Sequence, residues 1–512
     1  MFLKIFDTYN KKIVTIPLDR TIKLYSCGPT VYNYQHIGNI IAVLLPQLIT
    51  NTILYSGGSM LWSSNVTDLG HLVDDSDDGE DKMELGAKAK GISPSELAEF
   101  FFEDFVKQLE LVNIQLPQGY LNPRATNYIY EQMYIALELV KTKKAYYLSD
   151  GIYFDSLANS DLNSNFLPKS QGDSNYNDRE LVNNIKNPED FALWKFVDPS
   201  TFQKYRFKDY PKILENFDIP QEYNHLYGCP GWHTECVAMI GVVLGFGEDY
   251  KSVNFSFTNF QDKKPIIDIH TGGEDHIPLH HKNEILQSLA LGVNLSQYWV
   301  HNKHLKVENQ RMSKSLGNFF TVAGDKDTTG FDSIVSKGYN PLAFRLMFLE
   351  HNYQDQINFS WEKLGQSQNR LYNFYKLAGA VQSFKIIGKE INKMLRSLFQ
   401  ELLLDNLKTR EVLELLQKTL NDQITKLNQG QELQEDIINT LIELDKTVLR
   451  LNLFPSINID IIELANKRTK LKEQKSYQEA DKVRQELLEQ GFEIDDYRYG
   501  FGLWRKSEEK IK

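Results

Sequence analysis

The chain has 512 residues, 41% of them apolar and 24% charged, with a formal net charge of −11. That length exceeds one comfortable core, and the acidic balance argues against a generally basic nucleic-acid binder while permitting a local cationic surface for phosphates. No apolar run approaches the ~20 residues of a spanning helix, Met1 to Lys12 lacks signal or transit character, and three cysteines make no disulfide framework, so a reducing, cytoplasmic setting is expected.

Ile22 to Ser26 reads as a strand, followed by the loop Cys27-Gly28-Pro29-Thr30 and a helix from about Gly38. A second strand, Met60 to Thr67, ends in Asn65-Val66-Thr67-Asp68. Strand, loop, helix, strand opens a Rossmann-like doubly wound parallel sheet, an α/β fold that binds ligands beyond the carboxyl ends of its strands. The acidic stretch Asp74 to Glu84 predicts a surface loop leading into a helix. Ile129, Met133, Leu137 and Val140 give Asn127 to Lys144 a helical period. Asn159 to Glu180, rich in Asn, Ser and Asp, reads as a mobile loop or insertion, after which the αβ pattern runs from Lys186 to about Asn302. Beyond Tyr353 long helices dominate. Thr409 is placed to cap one carrying Val412, Leu413, Leu416 and Leu420, and Ser476 with Glu479 to form a capping box on another that stops at Gly491. No internal repeat is evident.

His280 and Glu284 lie four apart, which on a helix puts both on one face. Cys27 and Cys236 could complete a Cys₂-His-Glu set of a kind zinc accepts. Spacing alone leaves this open: His281 and Cys229 compete, and both thiols would also serve as small buried hydrophobes. Two other segments suggest a nucleotide. Tyr34-Gln35-His36-Ile37-Gly38-Asn39 opens a helix whose glycine and free N–H groups suit a close-lying adenine or phosphate. Arg311-Met312-Ser313-Lys314-Ser315-Leu316-Gly317-Asn318 is a hydroxyl-rich loop able to close over a triphosphate. Either could be an ordinary loop; together and in this order they point to ATP.

These two segments resemble the His-Ile-Gly-His and Lys-Met-Ser-Lys-Ser signatures of class I aminoacyl-tRNA synthetases. Further stretches are similar to the cysteinyl-tRNA synthetase family: Cys27 to Tyr32, Asn65 to Asp68, Pro123 to Thr126, Lys186 to Lys195, Pro230 to Cys236, Asp268 to Asp275 and His280 to Glu284. The likeness runs from Leu3 to Arg505. It implies ATP-dependent activation of L-cysteine to cysteinyl-adenylate and its transfer to the 3′ end of tRNA(Cys). It also implies one zinc per chain on Cys27, Cys236, His280 and Glu284, selecting the cysteine thiolate over serine without editing. By the same resemblance Gly28, Thr67, Trp232 and His270 line the cysteine pocket. His36, Gly38, Asn39, Gly273, Asp275 and Lys314 meet Mg-ATP, with His36, Asn39 and Lys314 catalytic. Glu284, the weakest ligand of the four, is expected to loosen as substrate sulfur arrives.

The first signature departs from the family by ending in Asn39, which implies weaker or redistributed phosphate stabilisation. Arg311 stands for lysine and Lys282 for glutamate. Leu407 to Glu411 and the following helix resemble the family's anticodon-binding domain, and Lys467 to Arg484 is locally cationic. Gly500 to Arg505 resembles its closing segment, with Trp504 and Arg505 as tRNA contacts. The expected layout is a catalytic domain over 1–305 with a helical connective insertion at about 119–220. A signature-loop and stem-contact region follows over 306–380, then an all-α anticodon-binding domain over 381–455 and a small module over 456–512. A monomer is expected. A mycothiol-type cysteine ligase would share the core but not Leu407 to Arg505, and a non-catalytic RNA-binding paralogue would be expected to lose the metal ligands or Lys314.

Overall fold

The computed structural model describes residues 1–70, 82–163, 185–248, 255–260, 264–314, 316–382, 389–497 and 500–505. The expectations for Asp74 to Glu84 and Asn159 to Glu180 therefore fall mostly outside the described residues. What is described shows helix α2 (Lys82–Lys90) and a 3-10 turn at Ser160–Asn163.

Four strands form the central sheet: β3 (Thr21–Ser26), β4 (Ser59–Ser64), β9 (Ile267–Gly273) and β10 (Ser296–Asn302). All pair in parallel, in the order β10-β9-β3-β4. Every residue of β9 is buried, as a parallel strand covered on both faces requires. The chain reverses its direction of growth between β3 and β9, and ligands gather at such a switch point. Cys27 follows β3 directly, and Cys27 N–H donates to Thr271 O at 3.3 Å.

Helix α1 (Ile37–Tyr55) connects β3 to β4. By length and composition it could cross a membrane, contrary to the expectation that no run approaches that length, yet 72% of its most apolar stretch is buried inside this fold. The sheet lies against it on one side and helices from the C-terminal half on the other. Burial all round explains its continuous apolarity.

The segment between β4 and β9 carries α3 (Pro94–Leu111), α4 (Ile129–Lys141), two short helices at Pro211–Asn216 and Gln221–Asn224, and α7 (Trp232–Met239). It also builds a four-stranded antiparallel sheet, β5 (Ala145–Leu148), β6 (Gly151–Phe154), β7 (Ala192–Phe196) and β8 (Gly228–Pro230). The insertion is thus mixed rather than helical; Tyr146, Tyr147, Ile152, Tyr153 and Trp194 supply the aromatic and branched side chains that strands favour.

Helices α9 (Pro341–Leu349), α10 (Trp361–Gln382), α11 (Lys393–Leu404), α12 (Thr409–Asn428) and α13 (Glu435–Leu444) form the helical half. Arg345, 1% exposed, joins it to the Rossmann half. Its Nε donates to Leu449 O at 2.6 Å, and its Nη1 donates to Gln47 Oε1 at 2.9 Å and Val112 O at 3.0 Å. The N-terminal hairpin β1–β2 (Phe2–Asp7, Lys12–Pro17) straps both halves. Asn406 N–H donates to Lys4 O at 2.9 Å, Thr8 N–H to Trp299 O at 2.8 Å and Trp299 N–H to Asp7 Oδ1 at 3.1 Å.

Two expected caps are absent. Lys408, not Thr409, occupies the N-cap of α12, and Thr409 is its buried first residue. Asn406 and Leu407 before it adopt left-handed backbone (φ 61° and 54°), so the helix starts from a tight turn. Ser476 is the N-cap of α15 (Tyr477–Glu489) but makes no capping hydrogen bond, and Glu479 pairs with Lys482 at 2.8 Å. Gly491 follows that helix at φ +80° as expected. The closing hairpin β14 (Phe492–Tyr497) and β15 (Gly500–Arg505) lies against α10, where a Cβ on Gly379 would fall 2.2 Å from Leu503 O.

Candidate metal centre and nucleotide cleft

The sheet's switch point opens into a cavity of about 410 Å³. Its wall includes Cys27, Gly28, Thr67, Trp232, Cys236 and His280 at one end, and His36, Gly38, Asn39, Gly273, Asp275 and Lys314 at the other. Each end joins residues from near the start of the chain, Cys27 or His36, to residues far along it, His280 or Lys314.

Cys27 enters from the end of β3, Cys236 from α7, and His280 and Glu284 from the first turns of α8 (His280–Ala290). One ligand atom from each of the four lies within 4.8 Å of all the others. The Cys27 and Cys236 sulfurs are 4.0 Å apart, Cys236 Sγ is 3.5 Å from His280 Nε2, and His280 Nε2 is 2.8 Å from Glu284 Oε1. Two sulfurs and a nitrogen on a tetrahedral zinc would stand roughly 3.5–3.8 Å apart. Despite its proximity to His280, Glu284 Oε1 is buried with no aligned hydrogen bond. Four donor atoms gathered about one point, with the Glu284 oxygen left without a hydrogen bond, are the arrangement of ligands around a cation, so the donor set fits the metal.

Electrostatics support that fit. The thiol of Cys27 bonds to Cys236 and, against the effect of burial, holds Cys236 down to about 6. Burial keeps Cys27 itself well above the ordinary thiol range. Burial opposes a charged His280, but the charges of Glu284 and Cys236 outweigh it and lift the ring to about 10. Glu284 is fully buried yet held far below the usual carboxylate range by His270 and His280. A cation at the shared point would relieve the same crowd of negative atoms.

A second group, Cys27, His270, His281 and Glu284, meets the same distance limit. His281 Nε2 lies 3.3 Å from Cys27 Sγ, and His270 Nε2 lies 2.9 Å from Glu284 Oε2. The first group fits better, because Cys27, Cys236 and His280 all face the cavity whereas His270 and His281 sit behind it. Cys229, on β8, joins neither group. His270, expected on the wall of the cysteine pocket, lies beneath Glu284 and stacks on Trp299 at 4.4 Å. Trp232 does line the cavity, its ring 4.3 Å from that of His280.

Sequence reasoning missed the support around these ligands. His233 Nδ1 meets His280 Nδ1 at 3.0 Å, fixing the ring that presents Nε2. His281 Nδ1 meets His301 Nε2 at 2.7 Å, and His301 Nδ1 meets Thr8 Oγ1 at 2.9 Å. The cue available in sequence was the run of histidines from His270 to His281, although nothing there pointed to Thr8. Asn65 was also missed as a brace: its Oδ1 accepts from Gly28 N–H at 2.8 Å and its Nδ2 donates to Thr67 Oγ1 at 3.1 Å.

At the other end His36 caps α1. Its Nδ1 accepts from Asn39 N–H, and Asn39 Oδ1 accepts from His36 N–H, both at 3.1 Å. Asn39 thus closes a reciprocal capping box. Burial drives His36 down to about 4, so with Nδ1 accepting, its Nε2 is left as the N–H donor. Ile37 N–H is already taken by Phe320 O at 2.9 Å, so the helix start offers fewer free donors than expected. Gly38 is required by the imidazole itself: a Cβ there would stand 2.9 Å from His36 Cε1. Asp275 stays below the ordinary carboxylate range because His276 and His304 outweigh its burial. Trp504 and Arg505 lie far from this cavity on the closing hairpin. Trp504 Nε1 donates to Asp495 Oδ2 at 2.7 Å, its ring is 6.4 Å from Tyr372, and the Arg505 guanidinium lies 4.6 Å over Phe492.

Residues 14–369 match the family described as tRNA synthetases class I (C) catalytic domain. A cysteine–tRNA ligase of Novosphingobium aromaticivorans is 31% identical over 93% of this chain and 90% of its own length. One from Treponema denticola is 30% identical over 99% of this chain and 100% of its own. Among solved structures, methionyl-tRNA synthetase of Mycobacterium tuberculosis bound by methionyl-adenylate shares the fold, with a TM-score of 0.52 at 12% identity over 84% of this chain and 90% of that one.

Proposed function

The chain belongs to the class I tRNA synthetases of the cysteine type, and from that premise we propose how its residues divide the work of attaching cysteine to tRNA with ATP. The carrying observation is the convergence of Cys27, Cys236, His280 and Glu284 beside the cleft holding His36 and Lys314. These four residues would hold zinc, which when bound would supply a Lewis acid that favours a substrate thiolate over a hydroxyl. Trp232 and Thr67 bound the amino-acid end of the cavity, and Asn65 keeps the Gly28 backbone in place. His270, from beneath, orients Glu284 rather than contacting cysteine.

The cysteine carboxylate attacks the α-phosphate of Mg-ATP, the bond to pyrophosphate breaks, and cysteinyl-adenylate forms. His36 donates through Nε2 as a neutral ring, Lys314 offsets charge on the departing phosphates, and Asp275 accepts from ribose hydroxyls. The terminal ribose hydroxyl of tRNA then attacks the activated carbonyl and AMP leaves. Positioning and charge stabilisation supply the acceleration. Asn39 acts through the capping box, keeping His36 in its donor tautomer.

Arg505 and the cations of α14 (Ile459–Glu473) and α15 are assigned to tRNA, with Trp504 supporting the hairpin on which Arg505 sits. Alignment of the curated relatives over 93–99% of the chain favours this over a cysteine ligase lacking Leu407 to Arg505. Three cysteines in 512 residues suit a reducing cytoplasm, and the chain is taken to work as a monomer. The test is cysteine-dependent ATP–pyrophosphate exchange with serine as control, before and after chelation, followed by charging of tRNA(Cys). Exchange indifferent to chelation, or equal with serine, would refute the metal's role in selection.

A further inference from the structure

Lys314 has an unusual seat. Its ammonium lies 5.2 Å from the ring centroid of Phe319 and 5.5 Å from that of Phe331. The two rings are 4.3 Å apart, inclined by 42°. Among the described residues no carboxylate forms an ion pair with Lys314, and burial alone lowers its affinity for the proton. A half-buried ammonium held by two π faces is oriented without being neutralised. A carboxylate in the same place would have to be displaced before phosphate oxygens could take over.

The two walls have different origins. Phe319 belongs to the lysine's own loop, and its ring lies 5.2 Å from His36 at 70°. Phe331 comes from the next loop, which is braced by its own bonds and by one to Thr321, two residues beyond Phe319. Thr329 Oγ1 donates to Asp325 O at 2.8 Å, Phe331 N–H donates to Thr329 Oγ1 at 3.2 Å, and Thr321 N–H donates to Asp332 O at 3.2 Å. Tyr34 OH reaches Thr328 O at 3.4 Å, tying that loop to the segment carrying His36. Phe331 lies outside both signature segments.

We propose that Phe331, with Phe319, is a positioning residue for adenylate formation: its ring face holds the Lys314 ammonium at the cleft while charge moves onto pyrophosphate. This rests on Lys314 acting on the nucleotide phosphates. Preorganisation of this kind lowers the barrier, because the cation need not be ordered as charge develops.

The experiment is ATP–pyrophosphate exchange with full-length, metal-loaded protein for Phe331→Leu, Phe331→Trp, Lys314→Ala and the double variant Phe331→Leu/Lys314→Ala. Thermal melts and cysteine KM serve to check folding. The leucine fills similar space without a π face. It should lower kcat for exchange about five- to ten-fold, the range of a partly desolvated cation–π contact, with cysteine KM unchanged. Tryptophan should retain the parent rate. In the Lys314→Ala background the same leucine substitution should cost less than two-fold (roughly, by the logic of thermodynamic cycles). An equal loss in both backgrounds, or no loss from leucine in the parent, overturns the seat while leaving the phosphate role of Lys314 intact. If Lys314→Ala itself leaves exchange unchanged, the premise falls and the seat with it.

Discussion

Arg345→Met offers a direct measure of how firmly the two halves of the molecule are joined. The substitution keeps an unbranched apolar stem and deletes the guanidinium that reaches Leu449 O, Gln47 Oε1 and Val112 O. Of the five acceptors that the guanidinium reaches, these three are the nearest, and at a site 1% exposed they would lose their donor, each at a cost of about 1–3 kcal/mol. Removing a buried charge gives part of that back, leaving a net loss of about 3–5 kcal/mol. Arg345→Lys keeps the charge but not the fork of donors, and should lose a similar amount. Urea unfolding followed by tryptophan fluorescence reads the loss. Hydrogen exchange should show it concentrated around residues 47, 112–113 and 448–449, with the insertion sheet unaffected. A midpoint corresponding to less than about 1 kcal/mol of destabilisation would mean that these carbonyls find other partners, and the junction argument would fail.

Glu131 should make stability depend on pH: burial pushes its carboxyl up to about 7. The folded state therefore binds the proton more tightly, and stability is greatest below the unfolded value near 4.5. It declines as pH rises through about 7, by roughly 3 kcal/mol in all, and Glu131→Gln should flatten that decline; an unchanged pH dependence would count against it. Gly28→Ala would set a Cβ 1.6 Å from Asn65 O, forcing the Cys27 backbone away from its partners. Metal content by elemental analysis should fall together with exchange activity, and a fully loaded variant would contradict this. Glu284→Gln keeps the shape but replaces an anionic ligand with a neutral amide, so it should lower zinc affinity by at least about ten-fold; retention against a competing chelator would show that the carboxylate is dispensable.

The parallel core and the His280–Glu284 pair were legible because both are local patterns: a short apolar run ending in a loop, and a four-residue helical interval. The segments bearing His36 and Lys314 were legible as motifs. The supports were not legible, because Phe331 beside Lys314, and His301 and Thr8 behind His281 and Cys27, lie outside the motifs with no periodicity to advertise them. Asn39 shows the limit in another form. Its departure from the family was visible, but its reciprocal bonds to His36 depend on where the helix begins. Thr409 and Ser476 failed as caps because the left-handed residues just before them, Leu407 and Lys475, set the approach of the chain. Trp504 was visible as an aromatic beside Arg505, but the bond from its indole N–H to Asp495, nine residues back on the paired strand, was not. The insertion's sheet was hidden by weak alternation in strands of only three to five residues.

The strap formed by the first two strands has a reach beyond its own contacts. Its Thr8 hydroxyl aims His301, which backs His281, which in turn stands against Cys27. A proteolytic nick between Pro17 and Arg20 that released the hairpin would act at a distance, loosening a sulfur ligand by withdrawing a hydroxyl three side chains away. Loss of metal after such trimming would register as a change of substrate preference before any loss of secondary structure.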